Sequence, residues 1–197
     1  MLFKPAMIII VFTLVINSGN LSIAETKPKD VQSNMITFEL SYVPSVGKPG
    51  DMPIDLNKDF LNKLLPELRN PRLMVLKDLD EKSHEPDLFL SRGYTFVLRG
   101  DFKNVGTAEI VFVGKYDNPE QPDRTSFIAI ISLEGKKVTR EYFLPIYRDR
   151  ISLQRVMNYK PKIDAIGMSF NILSDDCGYL YWFANNWQFE LCQAVFH

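Results

Sequence analysis

From Met35 to Val43 apolar and polar residues alternate, with Ile36, Phe38, Leu40 and Tyr42 set against Thr37, Glu39 and Ser41. A period of two is that of a strand with one buried face. Residues 44–53 hold three prolines and two glycines and read as a loop. From Ile54 the period lengthens: Leu56, Phe60, Leu61, Leu64 and Leu65 recur every three to four residues, Asp55 or Asn57 can cap the start, and Pro66 falls near the end. This predicts a short amphipathic helix, the one good helical segment after the N-terminal region, with a stripe wide enough to lie on a sheet. The type of Leu73–Leu76 stays open, and the charged stretch Lys77–Asp87, with His84, reads as an exposed loop.

Every later segment is strand-like. Leu88–Leu90, Tyr94–Leu98, Glu109–Val113, Ser126–Leu133, Val138–Tyr147 and Ile163–Leu173 are rich in branched and aromatic residues. Turn-formers separate them: Arg92-Gly93, Asn104–Gly106, Asp117–Asp123 and Glu134-Gly135. Strands reachable from one another by hairpins, with no crossover helices between them, predict an antiparallel arrangement. The expected fold is mostly β, a β-rich α+β domain built as an antiparallel sheet or sandwich, or as a partial propeller-like meander, with one short N-terminal helix.

The last hairpin can be laid out residue by residue. A two-residue turn at Asn185-Asn186 would set Leu180 opposite Leu191, Trp182 opposite Phe189 and Ala184 opposite Trp187, an apolar face. The other face would carry Tyr179, Tyr181 and Phe183 with Gln188, Glu190 and Cys192, and Cys177 would sit one pair diagonal from Cys192. A bulge at Gly178 would then bring the sulfurs into range. A structural disulfide is the reading in an oxidising compartment; a redox-active pair is the alternative, ordinarily written Cys-x-x-Cys, a spacing this chain lacks.

The compartment is read from the first residues. Lys4, an apolar run from Ala6 to Ile16, a polar step at Asn17–Asn20 and Ser22-Ile23-Ala24 follow the order of a secretory signal peptide cleaved after Ala24. The alternative is an uncleaved anchor, although the run falls short of the roughly 20 apolar residues a spanning helix needs. The expected organisation is a signal peptide at 1–24, a flexible leader at 25–34 rich in Lys, Pro, Asp, Gln and Ser, and a single β-rich domain at 35–197. That makes the protein periplasmic or secreted, with no membrane association once the signal is removed. Losing residues 1–24 removes Lys4 and no acid, so the formal net charge moves only from −1 to −2. No basic excess argues for nucleic acid or an acidic membrane surface.

The segment Gly100–Val113 is a polar loop feeding an apolar strand. Gly100, Asp101, Phe102, Gly106, Glu109 and Ile110 match the framework of one FG-GAP/VCBS-type repeat, which this segment resembles, with Glu109 in place of the usual aspartate. In that family loop carboxylates hold calcium. Lys103 and Val105 stand here where oxygen ligands should be, and a lysine ammonium repels the ion. The resemblance therefore implies the loop–strand shape and not a metal site. Arg99-Gly100-Asp101 spells a cell-adhesion tripeptide, but the turn alone accounts for the glycine and the aspartate.

Catalytic groupings are few. The two histidines, His84 and His197, offer no metal-ligand spacing, and no serine or cysteine triad or phosphate loop can be assembled. No cofactor or metal is called for. The expected function is that of an exported, non-enzymatic module binding a protein or polysaccharide partner, with Tyr179, Tyr181 and Phe183 as candidate binding residues and Cys177 and Cys192 as the disulfide. The alternative is an envelope hydrolase of glycosidase type, whose carboxylates would come from Asp175 or Asp176 with Glu109, Glu141 or Glu190.

Overall fold

In the computed structural model, residues 35–41, 54–120, 122, 125–146, 148, 150–173 and 176–192 are described. The signal peptide, the leader and the loop at 44–53 lie outside the described residues, as do Tyr42, Val43, Tyr147, Asp175 and His197. The fold is mostly β: two antiparallel sheets, one strongly curled into half a barrel, with two short helices. The first sheet holds β1 (Ile36–Glu39), β2 (Arg69–Leu73), β3 (Val97–Gly100), β4 (Glu109–Asp117), β5 (Ser126–Glu134) and β6 (Lys137–Ile146) in the order β1-β6-β5-β4-β2. β2 and β3 share one edge of β4, β2 along its C-terminal part and β3 along Glu109–Phe112. The second sheet runs β10-β9-β8-β7, from β7 (Ser152–Lys160), β8 (Ile163–Ser169), β9 (Cys177–Phe183) and β10 (Asn186–Leu191). Thr95 and Leu153 exchange two backbone hydrogen bonds of 2.9 and 2.8 Å and join the approach to β3 to β7.

The continuous apolar runs of β4 and β5 follow from burial on both faces. Ile110, Phe112, Phe127, Ala129 and Ile131 lie under helix α1 (Lys58–Leu64), with Phe60, Leu61, Leu64 and Leu65. Val111, Val113, Ile128 and Ile130, on the opposite face, meet Leu153, Ile166, Met168, Leu180 and Trp187 of the second sheet. The result is helix, sheet and sheet in three layers. Asn57 caps α1, its side chain accepting from the Phe60 amide at 3.0 Å. Arg140, buried on β6, donates to the Leu64 carbonyl at 3.1 Å and pairs with Glu67, which ties the last turn of the helix to the sheet.

Two sequence expectations over residues 77–90 are corrected, and β7 has no counterpart among the predicted strands. Leu88–Leu90 belongs to a second helix, α2 (Glu85–Ser91), not a strand: Pro86 sits in its first turn, and Phe89 packs on Leu79 and Ile172. A three-residue apolar run is too short to show its period, and the surrounding charge hides the helix. Glu85 is itself buried, accepting from the Asp80 amide and pairing with Arg150, so this stretch is not wholly an exposed loop. β7 gives no strand pattern because Gln154, Arg155, Asn158 and Lys160 interrupt it, and its register shifts between Val156 and Lys160.

In the last hairpin the turn comes one residue earlier, at Ala184-Asn185, both at positive φ (51° and 61°). Trp182 faces Trp187 and Leu180 faces Phe189. Moving the turn by one residue alters each pairing partner by two positions, so every side chain keeps the face assigned above. Cys177 and Cys192 become direct partners, with Cα atoms 5.3 Å apart and the Cys192 amide donating to the Cys177 carbonyl at 2.9 Å. The disulfide forms without a bulge at Gly178. Gly178 has another role: a Cβ there would meet the Phe189 ring at 2.6 Å. The cross-link, the Trp182–Trp187 edge contact (5.4 Å, 70°) and Gly178 under Phe189 set the register together. They override the roughly 1 kcal/mol cost of placing an alanine at positive φ.

Candidate functional site

Alternation along β9 puts Tyr179, Tyr181 and Phe183 on the outer face of the second sheet, away from the core that Leu180 enters. On β8, Tyr179 pairs with Gly167 and Tyr181 with Ala165, and a Cβ at Gly167 would meet Val156 and Gln154 of β7 at 2.9 and 3.0 Å. Neither ring stands alone. Tyr159 lies 4.4 Å from Tyr179 and 5.4 Å from Tyr181, centroid to centroid. The Lys160 ammonium sits 4.2 Å over the Tyr181 ring and donates to the Tyr181 oxygen at 2.7 Å and to Glu190 at 3.0 Å. The Tyr181 hydroxyl in turn donates to Glu190 at 3.1 Å. Hydrogen bonds from Lys160 and Tyr181 hold the Glu190 carboxyl below its ordinary value, and the same contacts raise Lys160. Tyr159, Lys160 and Glu190 therefore complete this face. The first two lie on β7, where the period is broken, and the charges of Lys160 and Glu190 carry no signal that they meet.

Tyr181 is only 8% exposed. It is part of the packing, and the structure does not present its ring to solvent. Tyr181→Phe is expected to lower stability by about 1 kcal/mol, one modest hydrogen-bond network member, read by urea unfolding; an unchanged midpoint would mean the hydroxyl triad contributes nothing. The open apolar surface lies at the hairpin edge instead. Phe183 is 55% exposed on the outer face, and Phe189 and Leu191, on the inner face, are 40% and 60% exposed. The hairpin drawn from sequence makes the whole inner face core, but β10 is the edge strand and only Trp187 of its inner face is fully covered.

A second cluster centres on the Gly100–Gly106 loop. Glu109, fully buried, accepts from the Phe102 and Lys103 amides at 2.8 and 3.3 Å and from the Thr107 hydroxyl at 3.3 Å. The Lys103 ammonium lies 2.6 Å from Glu141 and 3.4 Å from Glu109, a cation held between two carboxylates. Burial pushes the Glu109 carboxyl up against the pull of Lys103 and the two amides. Burial lowers Lys103, but the hydrogen bond and charge of Glu141 outweigh it and leave the group raised. Asp101 accepts from the Val105 and Gly106 amides at 3.0 and 2.8 Å, so the carboxylate of the adhesion tripeptide is engaged in its own turn. Asp176 pairs with Arg148 at 2.9 Å, and exposed His84 lies 3.7 Å from Asp87. Among the described residues no group of three or more His, Cys, Asp or Glu is arranged to hold a metal ion.

The chain matches no protein-family model, no curated protein and no solved structure.

Proposed function

We propose that the chain is an exported, non-enzymatic binding module whose β9–β10 hairpin docks a protein partner. One observation carries the reading: Phe189 and Leu191 stand exposed on the inner face of a six-residue edge strand stapled by a disulfide, and Phe183 is exposed on the outer face of β9 where the hairpin turns. Large apolar side chains grouped on a surface mark interaction sites, and an edge strand offers unpaired backbone groups that an extended partner segment can extend. Tyr181, 8% exposed under Tyr159 and Lys160, offers no open ring on this face, which favours a protein over a polysaccharide here. Export is supported by the disulfide. The burial of Glu109 and the engagement of both its oxygens support a structural role for the Glu109–Glu141 pair rather than hydrolysis.

The test is site-specific photo-crosslinking from positions 183 and 189, with Lys162 as a control position, in the exported fraction of the producing cell. A defined adduct from the hairpin positions alone is expected. The Phe183→Ser, Phe189→Ser, Leu191→Ser triple variant should lose capture by about tenfold, equivalent to about 1.4 kcal/mol, and the Phe183→Ser, Leu191→Ser double variant, which keeps the packing of Phe189 on Gly178 and Phe170, should lose part of it with little change in unfolding midpoint. Equal capture by the triple variant would remove the hairpin as the docking site, and capture of a glycan in place of a protein would overturn the choice of partner.

A further inference from the structure

A groove of about 540 Å3 lies between the Gly100–Gly106 loop and the β7–β8 hairpin, apart from the exposed hairpin edge. This volume falls among those of small-ligand sites. Trp182, Asn104, Asn158, Arg155 and Asp164 line it. The charges in its wall are already matched. Arg155 donates to one Asp164 oxygen at 3.1 and 2.7 Å and lies 5.5 Å from the Phe102 ring centroid, while the other Asp164 oxygen accepts from the Asn158 amide at 3.1 Å. Hydrogen bonding to Arg155 holds the Asp164 carboxyl below its ordinary value. Lys103, 5.6 Å from the Trp182 ring centroid, is held by Glu141 and Glu109. Asp101 is engaged with its loop amides, so Lys162 at the rim adds a single positive charge.

An anion entering this groove would have to compete with Asp164 and Glu141 for their cations. A neutral polyol leaves these ion pairs intact. It finds an indole, a fixed guanidinium–carboxylate pair with lone pairs to spare, and two side-chain amides, those of Asn104 and Asn158, that make no hydrogen bond among the described residues. Both asparagines stand at positive φ, 56° and 53°, at the lips of the groove. That backbone is disfavoured for most L residues and best accepted by glycine and asparagine. The turns explain the φ values, but glycine would serve them as well; the amides are what asparagine adds.

We propose that this groove binds a pyranose ring of a neutral oligosaccharide, its apolar face against Trp182 and its hydroxyls on Asn104, Asn158 and the Arg155–Asp164 pair. The site is separate from the protein-docking hairpin edge, and neither depends on the other.

The chain has two tryptophans in edge contact at 5.4 Å, of which only Trp182 lines the groove, so a change in indole emission on adding sugar reads this pair. The protein is titrated with cellohexaose, maltohexaose, laminarihexaose and hexa-N-acetylchitohexaose to millimolar concentration, with dextran sulfate as the anionic probe. At least one neutral hexasaccharide should shift the emission saturably. The Asn104→Gly, Asn158→Gly variant keeps the backbone conformation and removes both amides. It should bind that sugar about tenfold more weakly, as the loss of two modest hydrogen bonds implies, without a lower unfolding midpoint. The Phe183→Ser, Phe189→Ser, Leu191→Ser variant should bind the sugar unchanged. The proposal is overturned if no neutral hexasaccharide shifts the emission, if the double glycine variant binds as well as the parent, or if dextran sulfate alone binds and salt abolishes it.

Discussion

Lys103→Met should cost about 4 kcal/mol of folding stability, because it strips a buried carboxylate of its cation while conserving most of the lysine's length. Glu109 is fully buried and anchors the amides of Phe102 and Lys103, so the whole loop from Gly100 to Gly106 leans on a charge that the ammonium compensates. Adding Glu109→Gln should recover 1 kcal/mol or more, since a neutral amide needs no counter-ion; equal losses in single and double variants would mean the lysine acts by packing alone. The pH dependence has a definite sign. A carboxyl raised in the folded state binds its proton more tightly there than in the unfolded chain, so its contribution to stability is largest below the unfolded value of 4.5 and is lost as pH rises through the folded one. Removing Lys103 lifts the folded value further. The variant should therefore regain part of its deficit between pH 7 and pH 4.5, measured by urea unfolding at both.

Breaking the Cys177–Cys192 cross-link, by Cys177→Ser with Cys192→Ser, should cost about 3 kcal/mol, the chain-entropy value for a closed loop of 15 residues. The protein as purified should titrate no accessible thiol without reductant. The loss should be local first. Among the described residues β10 pairs on one side only, with β9, and the bond sits at the end of that ladder, beyond Leu191 opposite Gly178. Amides of β10 are thus expected to gain hydrogen exchange before those of β4 and β5, whose strands are covered on both faces. Uniform acceleration across both sheets would show that the hairpin and the core open as one unit. Partner capture at Phe183 and Phe189 should fall along with the protection of β10.

What sequence reading reached and missed follows from how local each signal is. The alternation of Ile36, Phe38 and Leu40, the helical spacing of Phe60, Leu61 and Leu64, and the apolar runs at Ile110–Val113 and Phe127–Ile131 each occupy a few consecutive residues and each came out as the structure has them. The pairing of Cys177 with Cys192 was legible because only two cysteines exist. Errors lie where a distant contact decides. Phe89 becomes helical through Leu79 and Ile172, and β7 is held extended by its ladder to β8 and by the bridge from Thr95 to Leu153. The site was legible in part: the face shared by Tyr179, Tyr181 and Phe183 follows from a period of two, which a change of turn leaves intact. Its partners Tyr159 and Lys160 come from a strand without a pattern, and the exposure of Phe189 and Leu191 depends on which strand ends the sheet.

The two sheets are also consecutive in the chain: residues 36–146 build one and residues 152–191 the other, and β1 finds its partner only when Arg140 reaches Ile36. An exported chain that emerges N-terminus first thus completes the first sheet before the strands that cover Val111, Val113, Ile128 and Ile130 have crossed the membrane. For that interval an oily slab stands bare, and the last forty-odd residues act as its lid; truncations that remove β9 and β10 should leave a species that clings to holdase chaperones.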